Sequence, residues 1–236
     1  MSESISLTQR VAHLCACSYS DAEQTIEDGG VSVDGTLVSD PHRTVTDEKI
    51  EIDPAAHPDA IEPATVLLHK PVGTLFENTA ALVRPDHRWA DDPSAVRMLP
   101  RHFKSLTPLM PLERDASGLI VLSQDGRIWR RLTEDAVEIE QEFIVEVRGE
   151  AKPYALGILA RGLSYNGREL SPCKVSWQNE IRLRFAIHNV QQGQLHYMCN
   201  EAGFEVVSIR RIRIGRIPLT KLPVGEWRVL PAGERF

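Results

Sequence analysis

The stretch Leu112-Glu-Arg-Asp-Ala-Ser-Gly-Leu-Ile-Val-Leu122 changes character at its midpoint. Its first half is charged and small, as a surface loop is. Its second half, Leu119-Ile-Val-Leu122, is an unbroken apolar run of strand length. Gln124-Asp-Gly126 then supplies a turn, and a helix begins at Arg127 and runs to Leu132. Glu113 and Asp115 therefore sit in a loop that leads directly into a buried-type strand. On residue types alone, Glu113 reads as a solvated loop acid paired with Arg114 or another nearby arginine.

Other elements extend on both sides. Upstream, Val66-Leu-Leu68 is a short apolar strand. Residues 74–108, with Pro85, Pro93, Pro100 and Pro108, read as a long irregular connection, which is where function or disorder is expected. Downstream, strands are predicted at Phe143–Val147, Val175–Trp177, Ile181–Ile187, Val206–Ile214 and Trp227–Leu230. Helices are predicted at Pro153–Leu163 and Gln194–Ala202, the latter closed by Gly203. The N-terminal part is a smaller unit. Residues 7–29 read as two short helices, with Ser20 as the cap of the second and Glu23 completing a capping box. Val31-Ser-Val33, the Asp34-Gly35 turn and Thr36-Leu-Val38 form a hairpin, and Lys49-Ile-Glu-Ile52 adds a strand. Residues 53–65 carry three prolines and no periodicity, so they read as a linker. The expected class is α+β, in two domains: residues 1–62 and residues 63–236.

Charge follows the same division. The chain has 236 residues and a formal net charge of −6. Residues 1–62 hold 3 basic and 13 acidic side chains, a net of −10, whereas residues 181–236 hold 9 basic and 4 acidic, a net of +5. An acidic head precedes a body whose positive charge is concentrated late in the chain. No run reaches the length of a membrane span, and the first residues lack a signal-peptide pattern, so a cytoplasmic protein with no membrane partner is expected. Its four cysteines (Cys15, Cys17, Cys173, Cys199) are expected to be reduced. His13, Cys15 and Cys17 do not form a zinc pattern, because Cys-x-Cys on a helix points its thiols to different faces and no second ligand pair follows. No metal and no cofactor are expected, and no phosphate-binding loop, nucleotide fingerprint or Gly-x-Ser-x-Gly segment is present.

Several stretches, in order, resemble a known family. Ala22-Glu-Gln-Thr-Ile26, Gly30-Val-Ser-Val-Asp-Gly35 and Lys49-Ile-Glu-Ile52 resemble an S4 RNA-binding domain. The body resembles the bacterial rRNA pseudouridine synthases that carry an S4 domain, the RsuA/RluF type. Five pieces carry that likeness: Leu68-His-Lys-Pro-Val-Gly73, Leu112 to Leu122 with Asp125-Gly126, Glu140-Gln-Glu-Phe-Ile-Val145, Ser208-Ile-Arg-Arg-Ile-Arg-Ile-Gly215 and Gly225-Glu-Trp-Arg228. The resemblance implies a small S4-like helical-hairpin and sheet module, then a mixed, largely antiparallel sheet with flanking helices and a cleft. It also implies isomerisation of uridine to pseudouridine in ribosomal RNA, by a monomer.

The family's catalytic aspartate stands five residues before the glycine that matches Gly118. That position is Glu113 here, with Asp115 two residues beyond. Glutamate keeps the charge and adds one methylene, and a misplacement of about 1 Å can cost about 100-fold in rate. Other family positions also differ. A tyrosine is replaced by Phe143, a basic residue by Gln141, and three arginines by Gly193, His196 and Tyr197, while Gln194 and Met198 are kept. The candidate substrate-binding residues are Lys70 at the cleft rim, Phe143, Gln194, and a phosphate-contacting strip of Arg210, Arg211 and Arg213. The last three read equally as the solvated face of a half-buried strand, and Lys70 as part of a simple turn. Three functions stay open on the sequence: an RNA-modifying enzyme, a catalytically silent RNA-binding homologue acting in ribosome assembly, and a protein-interaction module using the acidic head.

Overall fold

A computed structural model describes residues 4–56, 63–94, 96–161, 163–231 and 233–236. By its internal contacts the chain divides into two compact units, one of residues 1–63 with 97–105, the other of residues 64–96 with 106–236. Part of the expected linker, residues 57–62, lies outside the described residues.

In the first unit, α1 (Leu7–Cys15) and α2 (Tyr19–Glu27) pack against a small sheet. Ser6 caps α1 in a reciprocal capping box with Gln9. The cap of α2 is Ser18, not Ser20: Ser18 is extended (φ −67°, ψ 158°) and accepts from the Asp21 amide, so Ser20 already lies inside the helix. The sheet orders β3 (Thr36–Leu37), β2 (Val31–Val33) and β5 (Ile50–Ile52), all antiparallel, with Asp34-Gly35 turning at positive φ as the hairpin requires. A separate two-residue pair joins β1 (Ile5–Ser6) to β4 (Thr44–Val45). Leu7, Val11, Ala22, Ile26, Val31 and Val33 form the core. The segment 97–105 belongs to this unit, although sequence reading placed it within one long loop. Asp28, fully buried, accepts from the Arg101 amide (3.1 Å) and from Arg101 Nε (2.5 Å).

The second unit is built on one mixed sheet. Its path is β12 (Lys174–Asn179), β13 (Arg182–His188), β9 (Glu140–Arg148), β14 (Glu205–Ile214), β8 (Ala116–Ser123), β6 (Thr65–Lys70) and β16 (Trp227–Val229). β7 (Thr107–Leu109) pairs with β8, and β15 (Ile217–Pro218) pairs with β14. Among these strands every pairing is antiparallel except β8 with β14, which is parallel and non-local. β6 and β8 are apolar on both faces because both faces are covered, as their unbroken runs require. The expected strands and helices are found, with α3 (Gly126–Thr133), α4 (Ala155–Arg161) and α5 (Gln194–Glu201) flanking the sheet. α4 starts later than Pro153 because Tyr154 sits at φ +62°, outside the helical region. A short hairpin, β10 (Ser164–Tyr165) with β11 (Arg168–Glu169), was not foreseen.

Candidate active site

The loop that carries Glu113 joins β7 to β8, and four anchors hold it. Lys70 ends β6 with its side chain fully buried. Its ammonium donates to the carbonyls of Ala116 (2.7 Å), Pro71 (3.1 Å) and Arg114 (3.3 Å). Arg211 on β14 is 1 % exposed and donates to the carbonyls of Met110, Pro111 and Leu119 and to the Gln141 side-chain oxygen. Arg114 and Gly73 bond reciprocally, amide to carbonyl (2.7 Å) and guanidinium to carbonyl (3.1 Å). Gly118, at φ +119°, lets β14 approach so closely that a Cβ there would lie 2.3 Å from the Arg211 carbonyl oxygen. Burial pushes the Lys70 pKa down to about 8 and the Arg211 pKa down to about 9; nearby Asp115 opposes the Lys70 shift.

From that frame the Glu113 carboxylate reaches the N-terminus of α5. One of its oxygens accepts from the Gly193 amide at 2.8 Å. Gly193 stands at φ +77°, with Tyr165 so near that a Cβ would lie 2.4 Å from its hydroxyl. The helix end favours the carboxylate's negative charge. His196, one turn into α5, places Nε2 2.9 Å from an Asp115 oxygen and 3.7 Å from Glu113. Glu113 is one-fifth exposed and Asp115 about three-fifths. Donor atoms of Glu113, Asp115 and His196 lie within 4.8 Å of one another, so among the described residues these three have the spacing to hold a cation. Tyr165 and Tyr197 pack beside this site, their ring centroids 4.9 Å apart and their planes tilted by 36°.

The predicted residues thus separate into groups. Glu113 is half-buried beside α5, and its oxygen bonds Gly193 rather than Arg114. Lys70 is not at a rim: it is an interior anchor whose three donors are taken by carbonyls. Phe143 is buried in β9 opposite Phe185. Gln194 is buried and turned inward, accepting from the Gln191 amide and donating to Met198 sulfur. Arg210, Arg211 and Arg213 do not form one strip. Only Arg210 is exposed; Arg211 is internal, and Arg213 pairs with Glu140 (2.5 Å) and Glu142 (2.7 Å) across the ladder. Successive residues of a strand face opposite ways, and a bulge between Arg211 and Arg213 shifts the register further. Sequence reasoning overlooked the anchoring roles of Lys70 and Arg211. For Lys70 a signal was present, since it closely follows an apolar run, Val66-Leu-Leu68; Arg211 stands among other arginines alternating with isoleucine and carries no such mark.

No protein-family model matches the chain. Full-length similarity to characterised proteins is clear. The chain is 25 % identical over 233 residues to the dual-specificity RNA pseudouridine synthase RluF of Salmonella typhi, covering 97 % of this chain and 76 % of that protein. It is 26 % identical to ribosomal large subunit pseudouridine synthase B of Bacillus subtilis, covering 97 % and 93 %. It is also 26 % identical to ribosomal small subunit pseudouridine synthase A of Pseudomonas aeruginosa, covering 97 % of each. A crystal structure of a pseudouridylate synthase superposes with a TM-score of 0.61 at 21 % identity over 96 % of both chains, which fixes the fold. Motif order, sheet topology and near-complete coverage agree: over almost its whole length the chain is similar to bacterial rRNA pseudouridine synthases of the RluF and RsuA type.

Proposed function

We propose that the protein is an RNA pseudouridine synthase acting on ribosomal RNA, with the Glu113 carboxylate as its catalytic group. The observation that carries this is Glu113 itself. A carboxylate at the family's catalytic position is held by a deeply anchored loop and aligned by a backbone amide at a helix N-terminus. Every relative named above is a pseudouridine synthase.

The chemistry asks for one carboxylate at the sugar-base bond of a flipped uridine. The bond from N1 to C1′ breaks, the uracil ring turns, and C5 bonds to C1′. The C5 proton leaves and N1 takes one up, so the product is an isomer. No group outside the protein and RNA is required, and the protein works as a cytoplasmic monomer without metal or cofactor. Unstacking the uridine costs a few kcal/mol, least in RNA loops and bulges. The anchors limit how far Glu113 can stray, which matters when about 1 Å costs about 100-fold. Within the same reading, residues 1–62 are the S4-like RNA-binding domain and 63–236 the catalytic domain. The head's net −10 makes it a weak contributor to RNA affinity.

The test is release of tritium from rRNA transcripts labelled at C5 of uridine. Wild type is expected to release it, Glu113→Gln to fall to background, and Glu113→Asp to retain activity reduced by about 10- to 100-fold, because the loop is set for the longer side chain. Silence from wild type with release by Glu113→Asp would instead make this chain a silent RNA-binding homologue.

A further inference from the structure

His69 and Lys70 are consecutive in β6, so their side chains leave the strand on opposite faces. Lys70 turns to the Glu113 loop. His69 turns to a cavity of about 420 Å³ whose walls include Arg210, Ile212, Pro218, Lys221 and Leu222. His69 is only 5 % exposed, and its Nδ1 lies 2.7 Å from the Leu222 carbonyl oxygen. A carbonyl only accepts, so Nδ1 carries the proton. Burial, and secondarily the charge of Arg210, hold the ring's pKa below the ordinary histidine value, so at neutral pH Nε2 is a bare acceptor. That Nε2 is buried and has no hydrogen-bond partner. Arg210 and Lys221 are exposed, and neither side chain forms an ion pair or hydrogen bond among the described residues.

A ligand matching this cavity carries an anion beside a hydrogen-bond donor. A phosphodiester supplies the anion and no donor. Base N–H groups vary from base to base, whereas the ribose 2′-hydroxyl is a donor next to every RNA phosphate. The volume suits a group of nucleotide size, and Ile212, Pro218 and Leu222 give it apolar walls. We propose that this cavity is a second RNA subsite, separate from Glu113, in which Arg210 and Lys221 hold a backbone phosphate and His69 Nε2 accepts from the adjacent 2′-hydroxyl. The proposal rests on RNA being the substrate.

The experiment uses the full chain, a fluorescent oligouridine RNA, and its 2′-deoxy counterpart. Anisotropy titrations run from 50 to 200 mM salt, and the side-chain ¹⁵N resonances of His69 are followed in the wild type. Arg210 and Lys221 are on the surface, so the double variant Arg210→Gln/Lys221→Gln should fold as the wild type does. It is expected to bind the RNA about 10-fold more weakly at 50 mM salt, with a log–log salt slope shallower by about 0.7, the value for one single-strand phosphate. The His69 Nε2 resonance is expected to move with RNA and stay in place with the deoxy strand. Equal affinity and slope for the double variant would overturn the subsite while leaving RNA as substrate. An Nε2 resonance that ignores RNA, or answers both strands alike, would overturn the hydroxyl contact. Failure of the wild type to bind any RNA would remove both readings, whereas absent tritium release with RNA binding intact would count against Glu113 catalysis and leave the subsite standing.

Discussion

Lys70 and Arg211 are buried cations, and among the described residues neither has a carboxylate in ion-pair contact. Backbone carbonyls surround both. Such an arrangement solvates a charge without neutralising it, so it fixes the position of the loop at a cost in stability. The pH dependence has a definite sign. Lys70 titrates near 8 in the folded protein and near 10.4 in the unfolded chain, so between those values the unfolded state binds more protons. Stability contributed by this residue therefore rises with pH across that window, by up to about 1.4 kcal/mol per pH unit. Cys173 and Cys199, whose thiols burial pushes up to about 11 and about 12, pull the other way, but do so equally in a Lys70→Met variant. Urea unfolding at pH 7.5, 8.5 and 9.5 should thus show wild type gaining on Lys70→Met at each step. Parallel stability curves would mean that Lys70 keeps an ordinary pKa inside the fold.

At the scale of elements, the parallel pairing of β8 with β14 is what brings Arg211 over the Glu113 loop, and Gly118 makes that pairing possible. Its Cβ would meet the Arg211 backbone from a φ that L side chains rarely adopt. Gly118→Ala is expected to destabilise the second unit by about 3 kcal/mol or more, through clash and strain together. It should also lower tritium release beyond what the lost folded fraction explains, since the strand carries the loop. A loss under about 1 kcal/mol in urea unfolding would show that β14 shifts freely. This pairing also marks the limit of what the sequence made legible. The runs at Leu119–Leu122 and Phe143–Val147 announced strands by their near-continuous apolar character, as strands covered on both faces require, and Val206–Ile214 did so by alternating isoleucine with arginine. The reading of Glu113 as the catalytic position rests on the family resemblance, through its spacing to Gly118. Nothing local in those runs encodes that β14 lies between β8 and β9, nor that Gly193 would meet Glu113 across 80 residues. Arginine alternating with isoleucine looked the same whether the guanidinium was solvated, as in Arg210, or interior, as in Arg211.

At the scale of the whole molecule, the division into two units is not a single cut in the sequence, because residues 97–105 belong with the first. Ion pairs tie that segment into the head, among them Arg101 to the buried Asp28, Arg97 to Asp53 at 3.1 Å, and Lys104 to Glu27 at 3.5 Å. Only the first is sheltered from water, so it is expected to carry most of the energy, while the two exposed pairs each contribute less than about 1 kcal/mol. Asp28→Asn keeps the side-chain shape and removes the charge that Arg101 faces. Breaking a buried pair in this way should cost the head about 2 kcal/mol or more. The four tryptophans all lie in the second unit, which separates the readouts. Amides of β2 and β5 should exchange with solvent about 30-fold faster in Asp28→Asn, while the tryptophan-detected unfolding midpoint stays where it is. A matching fall in that midpoint would mean that the two units unfold as one. Unchanged exchange would mean that the head keeps its stability without the pair, and that the acidic head, already net −10, tolerates segment 97–105 as a passenger.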